Sequence, residues 1–340
     1  KKRKIDWSTI DDGKPFEGFK LKAVTGKTST QAAKKQKTTK PAIGDTEDWK
    51  AAPLVGEITQ ANPFPESELS ETHFTVMPTP EWESTGRYRK FTISEAEFEV
   101  NQIVFIKQEG GEEPMIAKVL EVRAGDASHV YLRVYYMYRP HELPGGRQPH
   151  HGDSEVIASN HMDIVEALAV LDKAEVVHWN EDPDESTWPL RDQLFWRQTY
   201  DVSKPVGSQL SKLRPFCIDK APCNPDEPLI NCPSCKGWLH ARCLEEQAVK
   251  EALNNNKLPA ARGRPAKTKK KGPRKSATDA AFVAHLKVLE SSTVVMTVTD
   301  KRSDQDNQRW NVDVKCLLCK EVIEKADDEL PAEPEETAIE

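Results

Sequence analysis

The sequence predicts a mostly β chain, with a barrel in the middle, a small cysteine-rich α+β module after it, and disordered tails. Three observations support this prediction. Short β-branched and aromatic runs follow one another between residues 93 and 205, and all seven cysteines lie after residue 216. Only 37% of the residues are hydrophobic, whereas 30% are charged. With 340 residues, the chain is long enough for two domains of ordinary size.

Residues 1–92 are expected to be a largely disordered, basic region. Stretches rich in Lys, Thr, Ser and Pro alternate there with isolated apolar residues, such as Trp7 and Phe19, and little periodicity is visible. Such a segment buries too little apolar area to offset its conformational entropy. A short run, residues 72–77, is expected to lie against a neighbouring domain. The acidic end, residues 323–340, has no core pattern and is expected to form a second disordered tail.

Five strand-like runs predict an all-β barrel or sandwich over residues 93–205. Turn signals such as GGEEP, AGDAS and HHGD separate these runs, and no helical period intervenes. The runs cover residues 100–107, 114–123, 129–138, 154–160 and 173–179. After this region, residues 244–256 have helical spacing, and we expect a further helix over residues 278–290 and a strand over residues 292–299.

The seven cysteines and one histidine occur at the spacing of metal ligands. Seven thiols and one imidazole supply two tetrahedral sites with no cysteine left over. Zinc suits such sites because it accepts both thiolate and imidazole, and disulfides are a weaker alternative in an intracellular chain. The predicted ligands are Cys217, Cys223, Cys232, Cys235, His240, Cys243, Cys316 and Cys319.

The order of these ligands, four cysteines, one histidine and three cysteines, resembles that of the PHD finger family. The resemblance implies two structural zinc ions in an interleaved arrangement. One ion is expected on Cys217, Cys223, His240 and Cys243, and the other on Cys232, Cys235, Cys316 and Cys319. The expected finger covers residues 214–322 and contains an unusually long insertion, residues 244–315, which is expected to leave the finger's surface.

In many PHD fingers, a tryptophan at the position of Trp238 forms one wall of a pocket for methylated lysine 4 of histone H3. Phe216 is the only other aromatic residue nearby in the sequence. A pocket with one or two walls binds a quaternary ammonium poorly. A structural role, or contact with an unmodified tail, is therefore favoured for this pair over reading of methylated lysine 4.

The insertion carries a basic stretch, residues 257–275, without any acidic residue. Within it, Arg262, Gly263, Arg264 and Pro265 resemble an AT-hook, whose Arg-Gly-Arg core suits the narrow minor groove of A·T-rich DNA. A nuclear-import signal and a general phosphate-binding arm have the same composition. Binding to A·T-rich DNA is therefore one of three interpretations of this stretch.

Four of the six tyrosines lie within residues 131–138. Because alternate side chains of a strand share a face, Tyr136 and Tyr138 are expected on one face and Tyr135 on the other. Two rings on one face are also typical of an ordinary core, so the alternation alone does not assign them a function.

The run YYMYRPHELPGGRQP and the later SEVIASNHMDIV resemble the BAH (bromo-adjacent homology) domain. They resemble in particular the subgroup that reads histone H3 trimethylated on lysine 27. The resemblance covers residues 93–205 and implies that Tyr136, Tyr138 and Met115 form the walls of a methyl-lysine cage. It also implies that His161 and Asp163 hold the peptide beside the methylated lysine.

These residue types suit a trimethylammonium group, which keeps its charge but has no N–H to donate. Aromatic faces attract such a cation and contact its methyl groups. The thioether of Met115 is polarizable and can pack against the methyl groups. Trp179 is expected to lie close enough in a barrel to complete the cage.

The sequence therefore predicts a nuclear, non-enzymatic chromatin reader that acts in Polycomb-type transcriptional repression through repressive chromatin complexes. Its expected partner is the histone H3 tail trimethylated on lysine 27, with the finger as a second histone or partner module. No membrane partner is expected, since no run approaches eighteen apolar residues, and no phosphate-cradling glycine loop or nucleophile outside the predicted zinc set is visible. Two alternatives remain: a RING-variant E3 ubiquitin ligase, and a BAH interaction scaffold without a methyl-lysine pocket.

Overall fold

The structure is a computed structural model. It describes residues 5–12, 15–23, 58–108, 110, 113–184, 188, 192–255, 281–289, 293–302 and 308–326. It divides into two compact units, Lys1–Leu213 and Arg214–Glu340. Within the described ranges, no helix combines the length and hydropathy that a membrane span requires. The basic stretch 257–275, with its AT-hook-like Arg262–Pro265, and the acidic tail beyond residue 326 lie outside the described residues.

The first unit is almost entirely β. Its only described α-helix, α1, covers Thr79–Ser84. Its strands are β1 (Lys20–Ala23), β2 (Ile58–Gln60), β3 (Thr72–Met77), β4 (Gly86–Tyr88), β5 (Lys90–Ile93), β6 (Ala96–Glu99), β7 (Ile103–Ile106), β8 (Met115–Ala124), β9 (Val130–Tyr138), β10 (Glu155–Glu166), β11 (Val170–Lys173), β12 (Val176–His178) and β13 (Leu194–Tyr200).

An eight-stranded sheet forms the centre of this unit. Its strand order is β11-β7-β8-β9-β10-β13-β12, and β4 pairs with β8. The pairs on both sides of β8 and β9 are antiparallel, whereas β13 runs parallel to both β10 and β12. The short loops between β7, β8 and β9 permit the antiparallel pairs, since such strands need only a tight turn between them.

Both faces of the β8–β9 pair are covered, and this explains why these strands are apolar at successive positions. On one face, Val134 belongs to a buried cluster with Phe98. On the other, Tyr135 is 0% exposed and belongs to a cluster with Trp196. Tyr135 is thus a core residue, as the strand alternation predicts.

Residues 58–92 are ordered, which corrects the expectation that residues 1–92 are largely disordered. Strand β3 lies between β1 and β2 in a three-stranded antiparallel sheet. Trp7, Phe19 and Trp82 are buried in one cluster that also includes Tyr131 of β9. These apolar residues are far apart in the chain and meet only through strand pairing, so no local period reveals them.

In its described residues, the second unit combines one helix with three small antiparallel sheets. Helix α2 covers Ala241–Asn255. The strands pair as β14 with β15, β16-β17-β18, and β19 with β20. They are β14 (Leu229–Asn231), β15 (Trp238–His240), β16 (Phe282–Val288), β17 (Val294–Asp300), β18 (Arg309–Val312), β19 (Val314–Lys315) and β20 (Val322–Glu324).

The 244–315 insertion was expected to project from the surface of the finger. Its described part instead contributes to the core of the second unit. Leu244 and Ala248 of α2 and Phe282 of β16 are buried in one cluster with Cys232 and Cys316. The helix expected over residues 278–290 is also wrong for the residues described there, because β16 (Phe282–Val288) pairs in register with β17. The insertion and the cysteine-bearing loops therefore share a single hydrophobic core.

Candidate functional site

Three rings converge where β9 ends beside β10. The ring centroids of Tyr136 and Tyr138 are 6.2 Å apart, and that of His161 lies 5.6 Å from Tyr136 and 6.0 Å from Tyr138. The His161 ring stacks on Tyr138 with an interplanar angle of 18°, and its Nδ1 is hydrogen-bonded to the Tyr138 hydroxyl. Both tyrosines are half-buried and His161 is exposed, so ring surface is accessible to a ligand.

An irregularity in β10 brings His161 to this place. The pairing of β10 with β9 shifts register between Ala158 and Met162. Within the shift, the Ser159 hydroxyl donates to the carbonyl oxygen of Tyr136 at 2.7 Å and accepts from the His161 N–H at 3.2 Å. Since a β-bulge redirects the side chains beside it, Ser159 fixes the direction of His161 relative to the tyrosines.

Asn160 anchors the same bulge from the other side. Its amide donates to Asp201 at 2.8 Å, and its carbonyl oxygen accepts from the Val202 N–H at 2.8 Å. The hydroxyl of Ser70 donates to the second carboxylate oxygen of Asp201 at 2.6 Å. Burial alone raises the pKa of Asp201, but hydrogen bonds from Ser203, Ser70 and Asn160 outweigh it and lower the pKa to about 2.

Asp163 holds the first tyrosine in place. The Tyr136 hydroxyl donates to Asp163 Oδ2 at 2.9 Å, while Oδ1 accepts from the Ile164 N–H at 2.8 Å. The pKa of Tyr136 is raised, mainly by burial and next by the charge of Asp163. The pKa of Tyr138 is raised to about 12, mainly by burial and next by the charge of Glu142. Both phenols therefore remain neutral at physiological pH and present uncharged aromatic faces beside a carboxylate.

Met115 starts β8 on the face that carries these tyrosines. Ala117, two residues later, pairs with Tyr136, and alternate residues of a strand share a face. Met115 and Tyr136 are both partly buried and pack against the same cluster. The structure thus puts Met115 on the expected face of the sheet.

Trp179 does not lie in this cluster, and its expected role as a cage wall is wrong. It follows β12 and is 2% exposed. Its ring packs on Trp188 at 4.9 Å and on Phe195 at 5.9 Å, with the Arg197 guanidinium 5.2 Å from the ring centroid. In the sheet, β10 and β13 lie between β12 and β9, so Trp179 is separated from Tyr136 and Tyr138 by two strands. The expectation that residues of one barrel lie close together did not take this strand order into account.

Tyr200 is a further aromatic residue near the cluster that the sequence did not single out. Its ring lies 6.4 Å from that of Tyr138 at an interplanar angle of 83°, and its hydroxyl donates to Gln209 at 3.1 Å. It is the last residue of β13, 62 positions after Tyr138, so only the parallel pairing of β10 with β13 brings the two together.

A cavity of about 850 Å³ in the first unit is not lined by Tyr136 or Tyr138. Phe16, Tyr88, His129 and Tyr131 are among its lining residues, whereas Tyr136, Tyr138 and His161 are not. The tyrosine cluster is thus distinct from this cavity, and its partly exposed rings and exposed His161 are accessible to the side chain of a peptide.

Four cysteines in the second unit form the first of two candidate metal clusters. The sulfur atoms of Cys232, Cys235, Cys316 and Cys319 all lie within 4.8 Å of one another. Two of the distances are 3.7 Å, between Cys232 and Cys319, and 3.6 Å, between Cys235 and Cys316. In a tetrahedral zinc site with Zn–S bonds of about 2.3 Å, sulfur atoms are about 3.8 Å apart. The cluster fits a zinc site with four thiolate ligands, and the four residues are those expected.

The second cluster differs from the expected set. It consists of Cys217, Asp219, His240 and Cys243, whose ligand atoms all lie within 4.8 Å of one another. Cys223, which was expected to be a ligand, is buried but does not belong to this mutually close group. Sequence reasoning missed Asp219 because it counted only thiols and imidazole.

Phe216 and Trp238 make separate contacts within the second unit. Phe216 is 6% exposed and packs edge-on against His240 at 6.5 Å, with the Arg214 guanidinium 5.4 Å from its ring. Trp238 is partly buried, and its carbonyl oxygen accepts from the Cys217 N–H at 3.1 Å. These contacts support the structural interpretation that the sequence favours.

Comparison with known proteins identifies the region that carries the tyrosines. Residues 96–204 match the BAH domain family. Two Arabidopsis thaliana proteins are similar to the chain. "Chromatin remodeling protein SHL" is 28% identical over 158 residues, which are 46% of this chain and 68% of SHL. "Chromatin remodeling protein EBS" is 26% identical over 136 residues, which are 40% of this chain and 57% of EBS.

One solved structure is also similar, the crystal structure of the yeast Rsc2 BAH domain. It is 15% identical, covers 38% of this chain and 55% of its own, and has a TM-score of 0.28. The chain thus spans little more than half the length of EBS and of the Rsc2 structure.

Proposed function

We propose that this chain, which contains a BAH domain over residues 96–204, is a nuclear chromatin reader that binds histone H3 trimethylated on lysine 27. The observation that carries the proposal is the convergence of Tyr136, Tyr138 and His161 at one end of the sheet. The similarity to two proteins named for chromatin remodeling supports an association with chromatin.

The trimethylammonium group is proposed to lie against the faces of Tyr136 and Tyr138. Each aromatic wall contributes about 0.5–2 kcal/mol to the binding of a desolvated cation. Met115 lines the same face of the sheet and provides the third wall through its thioether. Because Asp163 accepts the Tyr136 hydroxyl, its carboxylate also places a negative charge near the bound cation.

His161 and Asp163 are proposed to hold the peptide backbone beside the methylated lysine. His161 is exposed, and only one of its ring nitrogens is used by Tyr138. The second nitrogen is thus available to a peptide group. An aromatic cage with such a clamp gives binding in the micromolar range, about −8 kcal/mol.

The second unit is proposed to be a PHD-type zinc finger over residues 214–322, serving as a second histone or partner module. The support is the four-cysteine cluster and the neighbouring mixed cluster, each with four candidate ligands. Repression through recruited chromatin complexes is the proposed output. The basic stretch 257–275 is proposed to contact A·T-rich DNA, on its composition alone.

Calorimetry with histone H3 peptides tests the proposal. The full chain is expected to bind a peptide trimethylated on lysine 27 at least about tenfold more tightly than the unmodified peptide. Tyr136→Ala should abolish this preference. The matched control is Tyr88→Ala, since Tyr88 is 55% exposed and lies on β4, where it pairs with Val122 of β8 rather than with β9 or β10. Equal affinity for both peptides would favour the scaffold alternative and contradict the reader.

A further inference from the structure

We propose that Asp219, and not Cys223, is the fourth ligand of the second zinc site. This site then has the ligand set Cys217, Asp219, His240 and Cys243, in place of three thiolates and one imidazole. The inference rests on the zinc-binding part of the proposed function and concerns which residue completes one site.

The distances within the cluster match those of a tetrahedral zinc site. With Zn–O and Zn–N bonds of about 2.0 Å and Zn–S bonds of about 2.3 Å, an oxygen and a nitrogen ligand are about 3.3 Å apart, and either is about 3.5 Å from a sulfur. Asp219 Oδ1 lies 3.2 Å from His240 Nδ1, and Oδ2 lies 3.4 Å from Cys243 Sγ. The distance from Cys243 Sγ to His240 Nδ1 is 3.8 Å. The Asp219 carboxylate thus lies beside the other candidate ligands, with Oδ1 close to His240 and Oδ2 close to Cys243.

The backbone of this loop explains why Asp219 faces the cluster. Phe216 and Ala221 form a β-bridge, with a hydrogen bond of 2.9 Å from the Phe216 N–H to the Ala221 carbonyl oxygen. Cys217 and Lys220 adopt positive φ angles of 56° and 52°, which turn the chain tightly between the bridged residues. Cys217 and Asp219 thus lie inside the closed loop, whereas Cys223 lies two residues beyond it.

Neighbouring groups hold the carboxylate in this orientation. The Ala221 N–H donates to Asp219 Oδ1 at 3.2 Å, and the Arg242 guanidinium donates to Oδ2 at 3.3 Å. Groups that orient a metal ligand from outside the coordination sphere are typical of zinc sites.

A site with one carboxylate in place of a thiolate should release zinc more easily than the four-cysteine site. Zinc binds soft thiolates more strongly than a carboxylate in sites of this kind. A chelator is therefore expected to remove one zinc ion in a fast phase, from the Asp219 site, and the second in a slower phase.

X-ray absorption at the zinc edge of the full chain tests the assignment. Two zinc ions with six sulfur ligands in total are expected, from four cysteines in one cluster and two in the other. Seven sulfur ligands would overturn the proposal, because Cys223 would then be a ligand. A chain that binds no zinc would instead contradict the zinc-binding part of the proposed function, so the two failures are distinguishable.

Variants give an independent measurement of zinc content. Cys223→Ala should keep two zinc ions and six sulfur ligands, whereas Asp219→Ala should lose about one zinc ion per chain. Asp219→Cys should keep both ions and raise the sulfur count to seven. Loss of a zinc ion in Cys223→Ala, with both retained in Asp219→Ala, would contradict the assignment. The wild-type spectrum decides the question even where a variant does not fold.

Discussion

Tyr136 has two separable parts, a ring that faces the proposed ligand and a hydroxyl that donates to Asp163 at 2.9 Å. In the proposed cage, the ring would supply the cation–π attraction. The hydroxyl holds the ring beside the Asp163 carboxylate. A substitution that removes only the hydroxyl therefore distinguishes the two contributions.

Tyr136→Phe is expected to weaken binding of the trimethylated peptide about two- to tenfold, because a single hydrogen bond contributes about 0.5–1.5 kcal/mol. Tyr136→Ala removes a cage wall as well and should weaken binding by more than tenfold. Calorimetry with the same peptide measures both. Equal losses in the two variants would contradict a role for the ring itself.

Asp201, which accepts a hydrogen bond from Asn160 in the β10 bulge, is expected to make the stability of the first unit depend on pH. Its folded-state pKa of about 2 lies below the usual value, so its ionised form stabilises the fold at pH values above about 4, and this stabilisation is lost as the pH falls towards 2. The shift corresponds to about 2–3 kcal/mol. Asp201 is 1% exposed, so solvent screens these hydrogen bonds little.

Asp201→Asn is therefore expected to destabilise the first unit at pH 7 by about 2–3 kcal/mol, with a difference from the wild type that shrinks between pH 4 and pH 2. Urea unfolding at a series of pH values measures this difference. A gap that stays constant over that range would contradict the assigned pKa and its cause.

Some site residues are visible in the sequence because they depend on local patterns. Strand alternation separates Tyr135 from Tyr136, and the structure agrees. Tyr200 and Asp201 depend on the pairing of β10 with β13, which no local pattern encodes. Asp219 could not be predicted as a candidate ligand by counting cysteines and histidines. Its position depends on the tight loop with positive φ angles at Cys217 and Lys220.

At the scale of elements, a buried ion network joins β10 to β13. Arg197 contacts Glu155 at 3.0 Å and Glu181 at 2.8 Å, and the side chains of Arg197 and Glu155 are 0% exposed. The Arg197 guanidinium also donates to the carbonyl oxygen of His150 at 2.6 Å. The network holds the strand that carries His161 to the strand that ends at Tyr200.

Arg197→Met should destabilise the first unit by about 3–5 kcal/mol, because it leaves two carboxylates buried without their cation. The matched control is Lys90→Met, which breaks the exposed pair of Lys90 and Glu97, whose side chains are 60% and 47% exposed. That change should alter the free energy of unfolding far less than Arg197→Met does, because exposed ion pairs contribute little to stability. Urea unfolding measures both variants, and similar losses would contradict the importance of burial here.

The strands of the central sheet could be predicted because each is a continuous apolar run between turn signals. The run 129–138, for example, corresponds to β9, Val130–Tyr138. Segment 278–290 contains good helix formers, yet its described part is a strand. Pairing with β17 and burial of Phe282 outweigh local propensity there.

At the scale of the whole molecule, the candidate metal ligands and the aromatic cluster lie in different units. All seven cysteines lie in the second unit, Arg214–Glu340, and the tyrosine cluster lies in the first, Lys1–Leu213. Two units were predictable from length and from the position of the cysteines. The ordered segment before residue 93 was not, since its core residues meet only through non-local pairing.

Removal of zinc with a chelator is expected to unfold the second unit alone, because metal binding and folding are coupled in small zinc domains. Hydrogen exchange read by mass spectrometry should show loss of protection in α2 and in β14–β20, and unchanged protection in the strands of the central sheet. Equal loss in both sets of elements would contradict the separate folding of the two units.

The central claim is that neutral aromatic faces at Tyr136 and Tyr138 bind a cation. The most direct test compares the trimethyllysine 27 peptide with a peptide in which a neutral tert-butyl group of the same shape replaces the trimethylammonium. If the attraction is cation–π in origin, calorimetry should show at least about tenfold tighter binding of the charged peptide. Equal affinity for the two peptides would contradict the cage and leave only a shape-selective apolar surface.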